Sequence, residues 1–366
     1  MTGRVQRRVG RRSPRVPVPT VEPKRSYALV DSCLAEYKAM TMRAMLEGIP
    51  QSEPRRYLYD LVPLYPLRPG KGFRPGLLLA TCGAFGGSVE AAIQSAVAVE
   101  LFHNAFLVHD DVEDGSLSRR GLPTLAAEHG LAIAVNVGDA MNVLSIEPLM
   151  RNLQVLGTEL TWDVFVEIQH MVRQSVEGQA MELGWVRDNV VDLTDADYLR
   201  MTLKKTCWYT CIHPCRIGAL IGSRGAIDLD RFNRFGYFMG AAFQIQDDIL
   251  NLIGEERKYG KEIDGDIWEG KRTLMLIHVY GSATPLERDR IESFLARPRA
   301  ERNAKDVQWV HATMDKYDSI GYATARAHEL ALAALDEFRV AYADAPDTRE
   351  KRFIEEIVLY MVERDF

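Results

Sequence analysis

The sequence predicts an all-α protein, and three observations carry that prediction. Apolar residues recur at spacings of three and four along most of the chain. Alternating β-branched runs bounded by turns, the mark of strands, are nearly absent. Helix breakers are confined to short clusters that mark loops or helix ends: "YPLRPGKG" (65–72), "RRGLPT" (119–124), "RDNVVDLTDAD" (187–197) and "EIDGDIWEG" (262–270). At 366 residues, 47% apolar and 26% charged, the chain has the composition of a soluble globular protein with a substantial core. The expected architecture is a single helical domain over residues 26–366, with about ten or more helices.

Residues 1–25, rich in Arg, Pro and Val, lack helical periodicity and read as a disordered basic tail. From Tyr27 the pattern changes, and "ALVDSCLAEYKAMTMRAML" (28–46) has the spacing of an amphipathic helix. "EAAIQSAVAVELFHNAFLVHD" (90–110) is mostly apolar on every face, which predicts a helix buried on most sides. Two further long helices are expected over 161–183 and 231–253.

The formal net charge of −6 argues against a general nucleic-acid binder. No uninterrupted apolar run approaches the roughly 18 residues of a bilayer span. No apolar signal-peptide core follows the N-terminal arginines, so a cytoplasmic location is expected. The five cysteines, an odd number, do not suggest a disulfide framework. Cys207, Cys211 and Cys215, with His213 between them, are spaced either for packing along one helical stripe or for a metal.

The chemistry concentrates where two apolar helices end. In "LVHDDVEDGSLSRRGLPT" (107–124), Asp110, Asp111, Glu113 and Asp114 precede Arg119 and Arg120. In "FQIQDDILNLIGEERKYGKEIDGDIWEGKRT" (243–273), Asp247 and Asp248, with Asn251 and Glu255 beyond, precede Lys258, Lys261, Lys271 and Arg272. Asp110 and Asp114 are four apart, as are Asp247 and Asn251, so each pair shares one helical face. Carboxylates facing one another across a bundle suit Mg²⁺, which takes carboxylate and phosphate oxygens and keeps several waters. Neighbouring Lys and Arg would neutralise the remaining phosphate charge, so the arrangement suits a diphosphate ligand.

These two clusters resemble the aspartate-rich motifs of the trans-isoprenyl diphosphate synthases, the polyprenyl synthetase family. Four further pieces resemble that family in the same order. "GKGFRP" (70–75) is similar to its basic loop, and "ELFHNAFLVHDD" (100–111) to its first metal helix. "LKKTCWYTCIHP" (203–214) resembles its KT motif, and "GK…GD…EGKRT" (260–273) its closing lysine loop. The resemblance implies a helical bundle around a central metal-lined cavity, in which an allylic diphosphate ionises and alkylates isopentenyl diphosphate. It also implies a homodimer.

By the same resemblance, Asp110, Asp114 and Asp247 are expected as direct Mg²⁺ ligands, with three ions in each active site. Asp111 and Asp248 are expected to orient waters or neighbouring cations. Arg119, Lys205 and Lys261 are expected to hold the allylic diphosphate, with Lys271 nearby. Lys71, Arg74, His103 and Arg120 are expected to hold the diphosphate of isopentenyl diphosphate. For any single cation the alternative is a surface salt bridge, and for His103 a satisfied core histidine. Thr206 and Gln244 read either as wall residues beside the reacting carbons or as structural hydrogen-bonding groups.

Two positions depart from the family pattern. Asn251 stands where many members have Asp, and it is left outside the metal set. Asp264 stands where many have Gly, which bears on the aim of Lys261. "DDILNLIGE" also resembles the metal motif of terpene cyclases apart from Asn251. A cyclase has no use for a second anion site, so Lys71, Arg74, His103 and Arg120 together favour the synthase. A non-catalytic partner subunit usually loses part of an aspartate motif, and both are intact here. Product length is expected to be set one and two turns before Asp110, at Phe106, Ala105 and Phe102, with Met141 and Asn142 as further candidates for that wall. Ala105 in place of an aromatic residue points to geranylgeranyl diphosphate (C20), ahead of farnesyl and longer products.

Overall fold

The computed structural model describes residues 26–254 and 263–363. The N-terminal tail, Glu255, Lys258 and Lys261 lie outside the described residues. The first half comprises α1 (Ala28–Gly48), α2 (Phe73–Ala84), α3 (Val89–Glu113), the short α4 (Leu125–His129), α5 (Leu131–Leu144), α6 (Ile146–Leu156) and α7 (Thr158–Arg187). Next come α8 (Asp195–Thr202), a π-helix (Leu203–Ile212), α9 (His213–Gly222) and α10 (Arg231–Ile253). The chain closes with α11 (Gly265–Glu269), α12 (Leu274–Ser282), α13 (Pro285–Leu295), α14 (Ala304–Lys316), α15 (Ser319–Ala341) and α16 (Arg349–Glu363). Among the described residues, the only strands form a two-residue antiparallel hairpin, Ser118–Arg119 against Leu122–Pro123. The all-α expectation is borne out.

One apolar core runs from Val30 of α1 to Val362 of α16. Helix α3 passes through it, started by Ser88, whose side chain accepts from the Ala91 N–H. This helix bears on the expectation about membrane spans by length and composition alone. It is interrupted by so few charged residues that a stretch of mean hydropathy 1.4 is long enough to cross a bilayer, and 67% of that stretch is buried in the bundle. Cys207, Cys211 and Cys215 are wholly buried, and burial holds their thiols above the ordinary cysteine range. Among the described residues they join no group of three His, Cys, Asp or Glu side chains fit for a metal. They pack the core.

The π-helix determines how the site is built. A run of ten residues in this form is rare, and its i→i+5 turns are wider than those of an α-helix. Room for it comes from glycines on both neighbours. A Cβ on Gly178 of α7 would lie 2.2 Å from the Lys205 nitrogen, and one on Gly240 of α10 would lie 2.8 Å from the Cys207 Cα. The far end is fixed by a buried polar chain. His213 donates from Nδ1 to Glu167 at 2.9 Å and accepts at Nε2 from His170 Nδ1 at 2.9 Å, a tautomer assigned from the network. Arg216 donates to both Glu167 oxygens at 2.7 and 2.8 Å.

Two outcomes are expected. Gly178→Ala should lower thermal stability, by about 1–3 kcal/mol of overpacking, because the contact it creates is with backbone. Activity should fall with it, since the same contact displaces Lys205. The second outcome concerns acid. Burial lowers the His213 pKa from 6.5 to about 4. Burial also works against the Glu167 charge, but hydrogen bonds from Arg216 and His213 prevail and take it to about 2. Both groups bind protons more readily when unfolded, so the stability they contribute is present above the unfolded values and lost as pH falls. The midpoint of thermal unfolding, followed by circular dichroism, should decline from pH 6.5 towards 4, and His213→Asn should flatten that decline.

Candidate active site

The C-terminal ends of α3 and α10 converge on a cavity of about 480 Å³. Its wall holds Asp110, Asp247 and Asp248 together with Lys71, Arg74, His103, Arg119 and Arg120. Lys205, Thr206, Gln244 and Lys271 complete the set of expected residues that line it. Asp111, Asp114, Phe102 and Ala105 do not line it, and Lys261 is outside the described residues.

At the end of α3, Asp110, Asp111 and Asp114 are each paired with a cation. Asp110 accepts from Arg119 at 3.1 Å and from Lys205 at 3.4 Å. Asp111 is buried behind it, taking Arg119 Nε at 2.7 Å and the Tyr65 hydroxyl at 2.5 Å, and so clamps Arg119 towards the cavity. Burial opposes the Arg119 charge, but Asp111 and Asp110 outweigh it and raise its pKa. Asp114 caps the end of α3 and points to Lys271 Nζ at 2.7 Å, which also bonds Glu269 at 2.8 Å. Lys205 is gripped by Glu182, and Gln179 of the same helix bonds Glu113 at 2.6 Å.

Asp248 sits in a neutral cradle, accepting from Tyr198 at 2.8 Å and Gln244 at 2.8 Å. The Gln244 oxygen in turn accepts from Thr206 at 2.8 Å. Thr206 and Gln244 are thus wall residues and structural hydrogen-bonding groups at once. Asn251 faces away from the cavity, and its Oδ1 accepts the Asp266 N–H at 3.0 Å.

Two carboxyls are held above the ordinary carboxylate range, chiefly by burial and then by like charge. Burial pushes Asp114 up to about 7, against the pull of Lys271 and with the repulsion of Asp110 and Glu269. Burial and then Asp266 push Asp248 up to about 8. A divalent cation relieves such repulsion. Among the described residues no three candidate ligands converge on one point. The carboxylates Asp110 and Asp247 both line the cavity, and Mg²⁺ takes one or two carboxylates and completes its shell with phosphate and water.

A second group of cations faces the carboxylates. Arg74 is buried, donates to Thr210 at 2.8 Å, lies 3.3 Å from His103 Nε2 and stacks 4.2 Å over the Tyr209 ring. Among the described residues, its Nε and the His103 Nδ1 are buried without a hydrogen-bond partner. Burial, then Arg74, Arg120 and Arg119, keep His103 neutral, so its Nε2 can accept from Arg74. Lys71 donates to Tyr360 of α16 at 2.7 Å. Arg120 takes a left-handed backbone, φ 54, at the hairpin turn. Its guanidinium lies where only a glycine leaves room, since a Cβ on Gly70 would come within 2.8 Å of it.

The floor is aromatic. Phe106 lines the cavity and stacks on Tyr209 at 5.9 Å, with Phe102 behind it at 4.7 Å. Ala105 points elsewhere, into a separate cluster with Val137 and Met141. Sequence reasoning missed Tyr209, Glu182, Gln179 and Lys38. Tyr209 lies four residues after Lys205, and Gln179 and Glu182 flank a helical turn beside Gly178, spacings that carry a usable signal. Lys38, whose Nζ donates to the Gly70 carbonyl at 2.8 Å, comes from distant α1 and has no such signal.

Comparisons with known proteins agree with this geometry. The model of the polyprenyl synthetase family matches residues 56–314. The chain is 33% identical over 254 residues to a geranylgeranyl diphosphate synthase of Saccharolobus solfataricus, covering 68% of this chain and 75% of that one. It is 30% identical over 283 residues to a short chain isoprenyl diphosphate synthase of Methanothermobacter thermautotrophicus, covering 77% and 83%. Among solved structures it resembles geranylgeranyl pyrophosphate synthetase from Pyrococcus horikoshii, with a TM-score of 0.80, 30% identity, and 92% and 98% of the two chains covered. Motif order, helical fold and family match coincide over most of the chain, which is therefore a prenyltransferase of the polyprenyl synthetase family.

Proposed function

We propose that this chain joins an allylic diphosphate to isopentenyl diphosphate with Mg²⁺ and stops at geranylgeranyl diphosphate. One observation carries the reading: two groups of cations share a single cavity, with the aspartates on one side. A terpene cyclase needs only one such group. Asp110, Asp114 and Asp247 would hold Mg²⁺, three ions by family expectation. Bound Mg²⁺ supplies Lewis-acid stabilisation of the departing diphosphate.

Arg119, Lys205, Lys271 and Lys261 offset the charge that develops as the allylic C1–O bond breaks and its electron pair leaves with the diphosphate. Lys71, Arg74, His103 and Arg120 hold the second diphosphate, so that the double bond of isopentenyl diphosphate faces that C1. The π pair becomes the new carbon–carbon bond, and the C2 proton passes to the released diphosphate. Phe106, Tyr209 and Phe243 exclude water from the cation.

Chain length follows the stacked floor. The growing product runs towards Phe106 and then Phe102, one helical turn of about 5.4 Å further, a distance similar to an isoprene unit. The relatives named geranylgeranyl diphosphate synthase support the C20 assignment.

A cytoplasmic homodimer is the proposed form, with a single domain over residues 26–366 behind a basic tail. Its support is an apolar face on α5–α7, where Leu131, Val143, Ile146, Met150 and Trp162 are exposed. Light scattering should give twice the chain mass, and Trp162→Asp should weaken the assembly.

The decisive assay supplies Mg²⁺, isopentenyl diphosphate and each allylic diphosphate in turn. Elongation is expected, and cyclic hydrocarbon from the allylic substrate alone would sink the synthase reading. Asp110→Ala and Asp247→Ala should each lower turnover by about 10²-fold or more, because several kcal/mol of leaving-group stabilisation is lost. Near-normal rates at saturating Mg²⁺ would refute the metal assignment. Gly70→Ala should displace Arg120 and raise KM for isopentenyl diphosphate more than it lowers kcat. Phe102→Ala, behind Phe106, should lengthen the main product, read by product chromatography. Ala105 packs away from the cavity, so the expectation that it opens the chain-length wall is not supported by its placement. An unchanged distribution for Phe102→Ala would put the ruler elsewhere.

A further inference from the structure

Helix α11 is only five residues long, and its start carries no side-chain cap. It begins at Asp264, whose backbone is left-handed, φ 61 and ψ 14. Glycine adopts that conformation freely, and aspartate adopts it only against a steric cost. The Asp264 side chain is held from outside. Its Oδ1 bonds Nδ1 of His311, on α14, at 2.6 Å, with both side chains mostly shielded from solvent. Among the described residues, the other charged group facing that ring is Asp315 of α14, 3.9 Å from Nε2. Two acids thus favour the imidazolium, and a charge-assisted bond of this length is among the stronger kinds.

Hydrogen bonds tie Asp264 and α11 to Asn251, whose Oδ1 also accepts the Asp266 N–H at 3.0 Å, and from there to the active site. The Asp264 N–H donates to the Asn251 carbonyl at 2.9 Å, and the Trp268 N–H to the Asp264 carbonyl at 2.9 Å. The Lys271 N–H donates to the Asp266 carbonyl at 2.9 Å. Asn251 lies four residues after Asp247 on α10, so the same connection spans from one aspartate motif to the lysine that meets the other. A change at Asp264 is therefore transmitted to Lys271 through one short, uncapped turn of helix.

We propose that His311 is a positioning residue for the allylic diphosphate, pinning Asp264 in its left-handed conformation and thereby fixing α11 and the placement of Lys271. The inference rests on the reading of Lys271 as a diphosphate ligand. It explains how this chain carries an aspartate at a position where the backbone favours glycine.

The test is a double-mutant cycle on the full chain, with kcat/KM measured for each substrate. H311A should lower kcat/KM for the allylic diphosphate about tenfold, the worth of one charge-assisted hydrogen bond. KM for isopentenyl diphosphate should stay within about twofold. H311N, which keeps a donor near the Nδ1 position, should recover most of the loss. D264G supplies the left-handed turn without a partner, so adding H311A to it should change kcat/KM by less than about twofold. If H311A folds poorly, H311Q, which keeps bulk but moves the donor, takes its place and should show the same tenfold loss.

A silent H311A, or a tenfold loss that persists in the D264G background, overturns the proposal. K271A separates the two levels. Impairment by K271A with a silent H311A removes the role of His311 alone, whereas a fully active K271A removes the reading of Lys271 and this inference together.

Discussion

The constraint on which this structure turns is the burial of negative charge at the wrong end of two helices. A helix C-terminus carries partial negative charge of its own, so acidic side chains are least comfortable there. Yet Asp110, Asp111 and Asp114 close α3, and Asp247 and Asp248 lie in the last two turns of α10. Removing such groups from water costs several kcal/mol each unless they are paired. The rest of the site is arranged to offset that cost. Arg119 is clamped between Asp110 and Asp111, Lys205 spans Glu182 and Asp110, and Lys271 takes Asp114 and Glu269. Burial, with like charge beside it, still pushes the Asp114 and Asp248 carboxyls up. A divalent cation held there would offset that cost.

The backbone answers the same constraint. Lys205 reaches Asp110 because it sits on a π-helix, and the π-helix fits because Gly178 and Gly240 clear its two sides. Arg120 reaches the opposite wall because its left-handed turn lays the guanidinium over Gly70. In both places a glycine stands where an arginine or lysine must be brought through closely packed chain. Charge on one element is thus matched by missing side-chain bulk on another.

Much of this was legible in the sequence, for a physical reason. Helical period, breakers and runs of like charge are local properties, and they located the long helices and the breaker-rich segments at or beside Lys71, Arg74, Arg119, Arg120 and Lys271. The aspartates were legible because charge on an apolar helix demands a partner. What stayed hidden depends on neighbours. Spacing put Ala105 and Phe106 together before Asp110, but adjacent helical residues point about 100° apart. Only packing decides that Phe106 faces the cavity while Ala105 meets Val137 and Met141 of α5. The role of Lys38 likewise needs α1 to lie beside the 65–72 loop. Nothing within either segment encodes that meeting.

The aromatic floor shows how these levels join. Tyr209 belongs to the same π-helix that delivers Lys205, so the element that carries the buried lysine beside Asp110 also shapes the aromatic floor of the cavity. Its ring packs against Phe106 on one side and beneath the Arg74 guanidinium on another. Arg74 in turn approaches His103, two turns before Asp110 on α3. Cation, ring and floor therefore form one packed stack across both substrate ends. A change in bulk at the floor moves Tyr209 against Arg74, and a change at Arg74 loosens the floor. Under the roles proposed for Phe106 and Arg74, product length and the hold on isopentenyl diphosphate would be coupled through that stack, because interiors packed at this density transmit small shifts instead of absorbing them.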